Sequence, residues 1–164
     1  MKIHVTGNAG AGKTTFAHKL GHELGLQVFG LDKVVWQAGW LKSPPELKAA
    51  KLQSLISQDH WIIEGVSDRV RAAADIVIFL DVNRAASYWR CTRRSWPYLF
   101  KSRPELPDNC PEILIIPRLI KIIWRFPTHV RPKILADMAR RPQSSFRITN
   151  DQDLRALRQH LNPT

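Results

Sequence analysis

The sequence predicts an α/β protein with a parallel β-sheet covered by helices on both faces, and three observations support this prediction. Four short runs of apolar residues are nearly continuous, as expected for strands that are buried on both sides. Segments of helical character lie between the first three runs. The 164 residues suffice for one domain with a sizeable core. This alternation favours parallel strands joined by right-handed crossovers.

The predicted elements follow one another along the chain in a regular order. The strands occupy residues 2–7, 27–32, 61–66, 76–82 and 146–150. The helices occupy residues 14–24, 45–57 and 84 to about 100, and two further helical stretches and a last helix after an Asn or Asp cap follow. A proline-rich loop, residues 101–112, is expected to be a lid-like insertion in a single domain that spans 1–164.

The chain is strongly basic, with a formal net charge of +11 and a pI near 10.3. Such a field attracts phosphates, nucleic acid or an anionic membrane surface. The most apolar segment, 112–126, is shorter than the roughly 20 residues that span a bilayer and contains Pro117 and three basic residues. The two cysteines form no C-x-x-C pair, and no signal-peptide pattern precedes the first strand. We therefore expect no membrane span and a location in the cytoplasm.

A glycine-rich segment, GNAGAGKTT, joins the first predicted strand to the first predicted helix. It fits the pattern G-x-x-x-x-G-K-[ST], in which glycines allow a tight loop and backbone N–H groups face nucleotide phosphates at the positive end of a helix dipole. Lys13 is expected to reach the β- and γ-phosphates, and the Thr14 hydroxyl to be a ligand of Mg²⁺. The nucleotide-binding residues predicted from this segment are Gly7, Asn8, Ala9, Gly10, Ala11, Gly12, Lys13, Thr14 and Thr15.

Three carboxylates lie at the carboxyl ends of predicted strands, the edge where open parallel sheets bind their ligands. Phosphoryl transfer needs one carboxylate to hold Mg²⁺, usually through water, and often another to orient or deprotonate the attacking hydroxyl. Glu64 and Asp32 are the candidates for these two roles. Asp81 is a reserve, and capping the helix that begins near Arg84 is an equally good interpretation of it.

Two tryptophans, Trp36 and Trp40, lie within eight residues of Asp32. Their aromatic faces would suit a planar or apolar acceptor. The alternative is that they pack beneath the helix at 45–57.

The predicted helix at 84–100 carries several arginines on one face, because Arg90, Arg93 and Arg94 are three and four residues apart. Arg103 lies in the predicted lid. Such arginines neutralise charge on a transferred phosphoryl group, and a closing lid excludes water. We expect Arg90 and Arg94 to be catalytic and Arg103 to contact substrate; a solvated basic face is the alternative.

Together these segments resemble the small P-loop kinases of the adenylate-kinase-like group, and most of all the bacterial FlaR-type "DNA topology modulation" proteins. The resemblance rests on GNAGAGKTT, LDKVVWQAGW, WIIEGVSDR, ADIVIFLDV, RCTRR and FPTHVRPKIL, which are spread over nearly the whole chain. It implies a three-layer P-loop fold with five parallel strands in the order 2-3-1-4-5, a lid, and ATP with Mg²⁺ as cofactors. It also implies that Arg90 and Asn150, in the turn TNDQ, flank the adenine ring. Arg69 is a substrate candidate, although adenylate kinases have Asp-Gly-x-Pro-Arg where this chain has EGVSDR.

Three functions are compatible with these patterns. The first is a kinase that transfers the γ-phosphoryl group of MgATP to a small-molecule acceptor. The second is an ATP-dependent regulator that acts on nucleic acid, which the basic charge suggests but no helix-turn-helix or zinc-finger pattern supports. The third is an NTPase that drives a partner's change of shape. The arginines near the predicted lid favour the kinase.

Overall fold

The computed structural model describes residues 1–37, 40–98, 100 and 111–161. Its centre is a five-stranded parallel sheet in the order β2-β3-β1-β4-β5. These strands are β1 (Lys2–Gly7), β2 (Val28–Gly30), β3 (Trp61–Glu64), β4 (Ile76–Leu80) and β5 (Ser145–Ile148). Two further strands of two residues each, Trp36–Gln37 and Leu41–Lys42, pair antiparallel in a separate unit that we call the tryptophan hairpin.

The predicted class and strand order are confirmed for the five strands of the parallel sheet. The tryptophan hairpin was not predicted, and it adds two short strands between the second and third strands along the chain. The second strand is shorter than predicted because the chain turns at Leu31 and enters a helix at Asp32.

The helices cover both faces of the sheet. They are α1 (Lys13–Leu24), α2 (Asp32–Val35), α3 (Pro45–Ile56), α4 (Asp68–Ala73), α5 (Arg84–Ser95), α6 (Ile116–His129), α7 (Arg131–Ala139) and α8 (Asp151–Leu161). The predicted helix from 84 ends earlier than expected, since the chain tightens into a 3₁₀ turn at Trp96–Tyr98 that contains Pro97. In the described part of the chain, no helix is long and apolar enough to cross a membrane.

The core lies on both sides of the sheet, because alternate residues of each strand face opposite layers. On one side Trp61, Ile63 and Phe79 pack with Phe126 of α6 and Ile134 of α7. The other side packs against α1 and α8. The buried residues of this second part of the core include Ile3, Val5, Ala17, Leu20, Ile62, Ile78 and Leu157. Burial on both faces explains why the strands are nearly continuous apolar runs.

Strand register brings three functional segments to one edge of the sheet. Val5 pairs with Glu64 on one side of β1, and Gly7 pairs with Leu80 on the other. The glycine-rich loop, the end of β3 and Asp81 therefore lie next to one another. The predicted lid falls mostly outside the described residues, which resume at 111.

Candidate active site

The glycine-rich loop closes tightly between β1 and α1. Gly10 and Gly12 have φ angles of 75° and 88°, in the left-handed region that side chains other than glycine rarely adopt. A Cβ atom on Gly10 would also lie 2.4 Å from the carbonyl oxygen of Ser87 in α5. The loop is therefore fixed by its own backbone and by the close approach of α5, and it begins α1 as the predicted phosphate site requires.

Two side chains of the loop make contacts within the protein. The Lys13 ammonium donates a hydrogen bond to the carbonyl oxygen of Asn8 at 2.9 Å, which places it over the loop. Asn8 is buried, accepts from the Ala9 N–H at 2.8 Å, and donates through Nδ2 to the carbonyl oxygen of Ile123 at 3.3 Å. That carbonyl lacks its usual partner in α6 because Pro127, four residues on, has no N–H. The Asn8 side chain thus anchors the loop to α6.

Thr14 and Glu64 meet at the head of α1. The Thr14 hydroxyl donates to Oε1 of Glu64 at 3.1 Å, although the two residues are 50 positions apart. Burial raises the pKa of Glu64, and the nearby Asp32 charge raises it further, whereas Lys13 and the Thr14 hydrogen bond lower it. A hydroxyl and a carboxylate beside a lysine form an oxygen-donor set that fits Mg²⁺ together with phosphate. The residues present therefore fit the predicted cofactors.

These groups open into a cleft of about 730 Å³. Lys13, Thr14 and Glu64 lie at one end of it, and Asp32, Trp36 and Trp40 line it as well. α6 supplies an apolar wall that the sequence analysis did not anticipate, formed by Leu119, Ile122 and Phe126 together with Ile115 before the helix. Their spacing of three and four residues is the signal that could have identified this wall.

The two tryptophans form one unit at the cleft. Their ring centroids are 5.4 Å apart with the planes at 87°, an edge-to-face pair. The Trp40 indole N–H donates to the carbonyl oxygen of Pro111 at 2.9 Å, and the Arg118 guanidinium lies 4.7 Å from the Trp36 ring centroid. Trp40 has a φ of 58°, which a bulky residue rarely adopts. Trp40 directly precedes the second strand of the tryptophan hairpin, a position where short hairpin loops commonly contain a left-handed residue, so this angle belongs to the turn and a binding role for the two tryptophans stays a prediction.

Several other predicted site residues in the described part of the chain do not line the cleft. Arg69 is exposed and donates to Gln53 at 3.2 Å, so it does not line the cleft as a substrate residue. Arg90 is exposed on α5 and is likewise absent from the cleft lining. Asn150 accepts from the N–H groups of Gln152 and Asp153 through its side chain, which is the predicted cap of the last helix, and its place beside the adenine ring stays a prediction. The Arg94 side chain and Arg103 lie outside the described part, so their roles stay predictions.

Asp81 has neither of its two predicted roles. Its carboxylate accepts hydrogen bonds from Arg131 at 3.0 Å and Arg147 at 2.7 Å. The cap of α5 is Asn83 instead, whose Oδ1 accepts from the Ala86 N–H at 2.8 Å. Asp81 therefore joins α7 to β5, which also raises the pKa of Arg131 through the hydrogen bond to its carboxylate.

Comparison with known proteins gives a partial sequence match. No family model matches the chain. Proteins named "Putative adenylate kinase" from Saccharolobus islandicus (strain Y.G.57.14) and Saccharolobus solfataricus (strain P2) are 29% identical over 106 residues, 58% of this chain. The match spans 57% of the length of these relatives, little more than half.

Solved structures extend the likeness to the whole fold. A shikimate kinase from Acinetobacter baumannii in complex with shikimate has a TM-score of 0.53 at 20% identity, over 98% of this chain and 92% of that one. A deoxyadenosine kinase from M. mycoides with bound dATP has a TM-score of 0.55 at 16% identity, over 99% and 100%. The predicted resemblance to the adenylate-kinase-like P-loop kinases is confirmed in fold and in partial sequence similarity, and the finer resemblance to the FlaR-type proteins stays a prediction.

Proposed function

We propose that this chain is a kinase that transfers the γ-phosphoryl group of MgATP to a hydroxyl group of a small acceptor. The observation that carries the proposal is the shared cleft, in which Lys13 and the Thr14–Glu64 pair open toward Asp32 and the two tryptophans. A site for nucleotide phosphates and a second, aromatic site on one continuous cavity is what a transfer reaction requires, since the reacting atoms must be held close together.

The donor end of the cleft consists of the glycine-rich loop with Lys13, Thr14 and Glu64. The loop N–H groups would hold the phosphates, and the Lys13 ammonium would neutralise charge that develops on the transferred group. The Thr14 hydroxyl and, through water, the Glu64 carboxylate would hold Mg²⁺. MgATP, when bound, supplies the phosphoryl group. Arg90 would add positive charge at the phosphates only if α5 moved, because it does not line the cleft, and the proposed roles of Arg94 and Arg103 rest on the sequence.

The acceptor end consists of Asp32, Trp36 and Trp40. Asp32 begins α2 at the carboxyl end of β2, and its charge is near enough to raise the pKa of Glu64. It would accept the proton of the attacking hydroxyl or orient that hydroxyl. The tryptophan pair and the apolar wall from α6 would hold an apolar or planar body and keep water from the reacting groups.

The relatives support the donor end more than the acceptor. The sequence relatives are named "Putative adenylate kinase", and the structural neighbours include a shikimate kinase and a deoxyadenosine kinase. These kinases differ in their acceptors, so we infer only the reaction class and define the acceptor by its chemistry, an alcohol with an apolar or planar body. We also propose that the protein acts in the cytoplasm.

The experiment is a phosphorylation screen with MgATP and a panel of nucleosides, nucleotides and small alcohols. We expect the wild type to form ADP and one phosphorylated product. Asp32→Asn should lower turnover by about 10²- to 10⁴-fold, the range for loss of a general base. Glu46→Gln, which neutralises an acidic side chain in the first turn of α3 and away from the cleft lining, is the control and should retain full turnover. Equal turnover in the Asp32 variant would contradict the assignment, and ADP formation with no phosphorylated acceptor would favour the NTPase.

A further inference from the structure

The positive charge of the chain is concentrated on two packed helices, α5 and α6. Neither helix contains an aspartate or glutamate. Their basic residues are Arg84, Arg90, Arg93 and Arg94 in α5 and Lys121 and Arg125 in α6, together with Arg118, whose guanidinium stacks on Trp36 at the cleft. The two helices lie side by side, since the Tyr88 hydroxyl donates to the carbonyl oxygen of Ile120 at 3.1 Å. They form one surface, which we call the α5–α6 face.

Large apolar side chains are exposed on the same face. Trp96, just after α5, is 72% exposed, and Trp124 of α6 is 63% exposed with the Arg84 guanidinium 4.7 Å from its ring centroid. Leu114 and Ile120, before and within α6, are 67% and 50% exposed. Exposed tryptophans and aliphatic side chains next to cations are unusual on a surface that contacts only water, and they mark an interaction site.

An apolar cavity of about 310 Å³ opens between the two helices. Its lining includes Cys91 and Trp96 from the α5 side and Ile116, Ile120 and Ile123 from α6. This cavity is distinct from the cleft of the proposed kinase site, although Leu119 lines both. Its size and lining suit a hydrocarbon chain.

We propose that the α5–α6 face binds the surface of an anionic lipid bilayer. Lysine and arginine attract anionic headgroups, tryptophan rings lie at the level of the headgroups, and aliphatic side chains enter the acyl boundary. All three kinds of group are present on this face. The binding is peripheral. It would bring the proposed kinase to the membrane surface and would not change the reaction.

The face fits two other partners less well. A second copy bound by the same face would bring two carboxylate-free arrays of cations against each other, because a two-fold interface pairs each surface with itself. Nucleic acid would satisfy the cations and stack on the tryptophans, but it would leave Leu114, Ile120 and the apolar cavity without a partner. Lipid uses the charged and the aliphatic groups together.

The first experiment is co-sedimentation of the full chain with vesicles. We expect binding to vesicles of equimolar phosphatidylserine and phosphatidylcholine, little binding to pure phosphatidylcholine, and loss of binding as salt rises. Equal binding to the two vesicle types, or none to either, would overturn the proposal.

Paired variants test the location of the binding surface. Lys121→Gln with Arg125→Gln should weaken binding about 25-fold, at roughly fivefold for each of the two charges. Lys19→Gln with Arg155→Gln removes the same charge from exposed positions on α1 and α8 and is the matched control. Leu114→Ser with Trp124→Ser should reduce binding without altering net charge. Circular dichroism and thermal melting verify that each variant is folded.

Three results would contradict binding of lipid by the α5–α6 face. Equal losses in the two charge variants would show that only net charge matters. Tighter binding to a fluorescent single-stranded oligonucleotide, weakened by the Lys121 and Arg125 changes, would assign the face to nucleic acid. A dimer in sedimentation velocity that the Leu114 and Trp124 changes dissociate would assign it to a second copy. Each of these results overturns the lipid proposal.

Discussion

The two ends of the cleft are built in different ways. The donor end is a continuous segment, in which the loop, Lys13 and Thr14 follow one another and only Glu64 comes from another strand. The acceptor end is assembled from α2, the tryptophan hairpin and α6, with contacts such as Trp40 to Pro111 that join residues 71 positions apart. A site encoded locally depends on backbone conformation, whereas an assembled site depends on how distant elements pack.

The two ends also differ in the part of a ligand that each would recognise. Backbone N–H groups and glycine angles recognise phosphate, which all nucleoside triphosphates share. Side chains from several elements recognise the body of one acceptor, and they differ among kinases of the same fold. The comparison predicts that changes at the donor end affect nucleotide binding and turnover together, and that changes at the acceptor end leave the affinity for nucleotide unaltered.

The largest effect at the donor end is expected from Lys13→Ala. Loss of the ammonium removes the cation nearest the phosphates, so turnover should fall by about 10²- to 10³-fold. Calorimetric titration with MgATP should show a weaker nucleotide affinity. Lys19→Ala removes an exposed lysine from the same helix and should change neither quantity. An unchanged affinity in the Lys13 variant would refute the phosphate site.

The next effect is on stability and concerns His4. This residue joins β1, which precedes the glycine-rich loop, to the end of β3, which carries Glu64. His4 is fully buried in β1, and its Nε2–H donates to the carbonyl oxygen of Gly65, next to Glu64. Burial lowers the pKa of His4 from 6.5 to about 3. The unfolded chain therefore binds a proton below pH 6.5 that the folded protein does not, and the free energy of unfolding should fall by up to about 1.4 kcal/mol per pH unit toward pH 3.

Chemical denaturation of the wild type and His4→Gln at several pH values measures this slope. The variant should lose the part of the slope that His4 causes, whatever its stability at neutral pH. The same substitution at exposed His22 of α1 is the control. Parallel slopes in the wild type and the His4 variant would show that the ring is not held neutral by burial.

The donor end could be predicted from the sequence because its determinants are local. The glycine pattern, the preceding strand and the following helix predict the loop, and parallel strands that end at one edge predict the meeting of Thr14 with Glu64. The two residues are indeed hydrogen-bonded. The order of the five strands came from resemblance to a known family, since residue patterns alone leave several orders open.

The acceptor end could not be predicted to the same extent. Nothing local in the tryptophan segment shows that Trp40 reaches Pro111, or that Arg118 stacks on Trp36. The six-residue helix α4 was missed because a short helix has little periodicity to read. The resemblance assigns Asn150 to the nucleotide and Arg69 to the substrate, and these roles stay predictions. The structure shows Asn150 as the expected cap of α8 and Arg69 bound to Gln53. The Arg69 contact could not be predicted, because a side chain's partner depends on tertiary packing.

A smaller effect, confined to the acceptor, is expected from Trp40→Leu. The change removes an aromatic face and the hydrogen bond to Pro111, so the KM for the acceptor should rise about tenfold, which corresponds to about 1.4 kcal/mol. The affinity for MgATP should remain as in the wild type. Trp89→Leu on the exposed side of α5 is the matched control. A parallel loss of nucleotide affinity would mean that the two ends are not independent.

The smallest effect is expected from Glu64→Gln, at the point where the two ends meet. Burial raises the pKa of Glu64 above 4.5, so the folded protein binds more protons than the unfolded chain just above that pH. Stability contributed by the protonated form is therefore lost as pH rises through the raised pKa. Glutamine keeps an acceptor for the Thr14 hydroxyl and carries no charge to desolvate. The Tm at neutral pH should rise by about 2–4 °C, the shift that about 1 kcal/mol produces in a domain of this size.

The same variant should require more Mg²⁺ for half-maximal turnover, because the carboxylate that would hold the ion is gone. Thermal melting and a Mg²⁺ titration measure the two effects, and Glu46→Gln should show neither. A gain in stability together with a higher Mg²⁺ requirement would mean that the buried charge is kept for function at the expense of the fold. A loss of stability would mean instead that the Glu64 carboxylate stabilises the fold, and an unaltered Mg²⁺ requirement would contradict its proposed role in holding the ion.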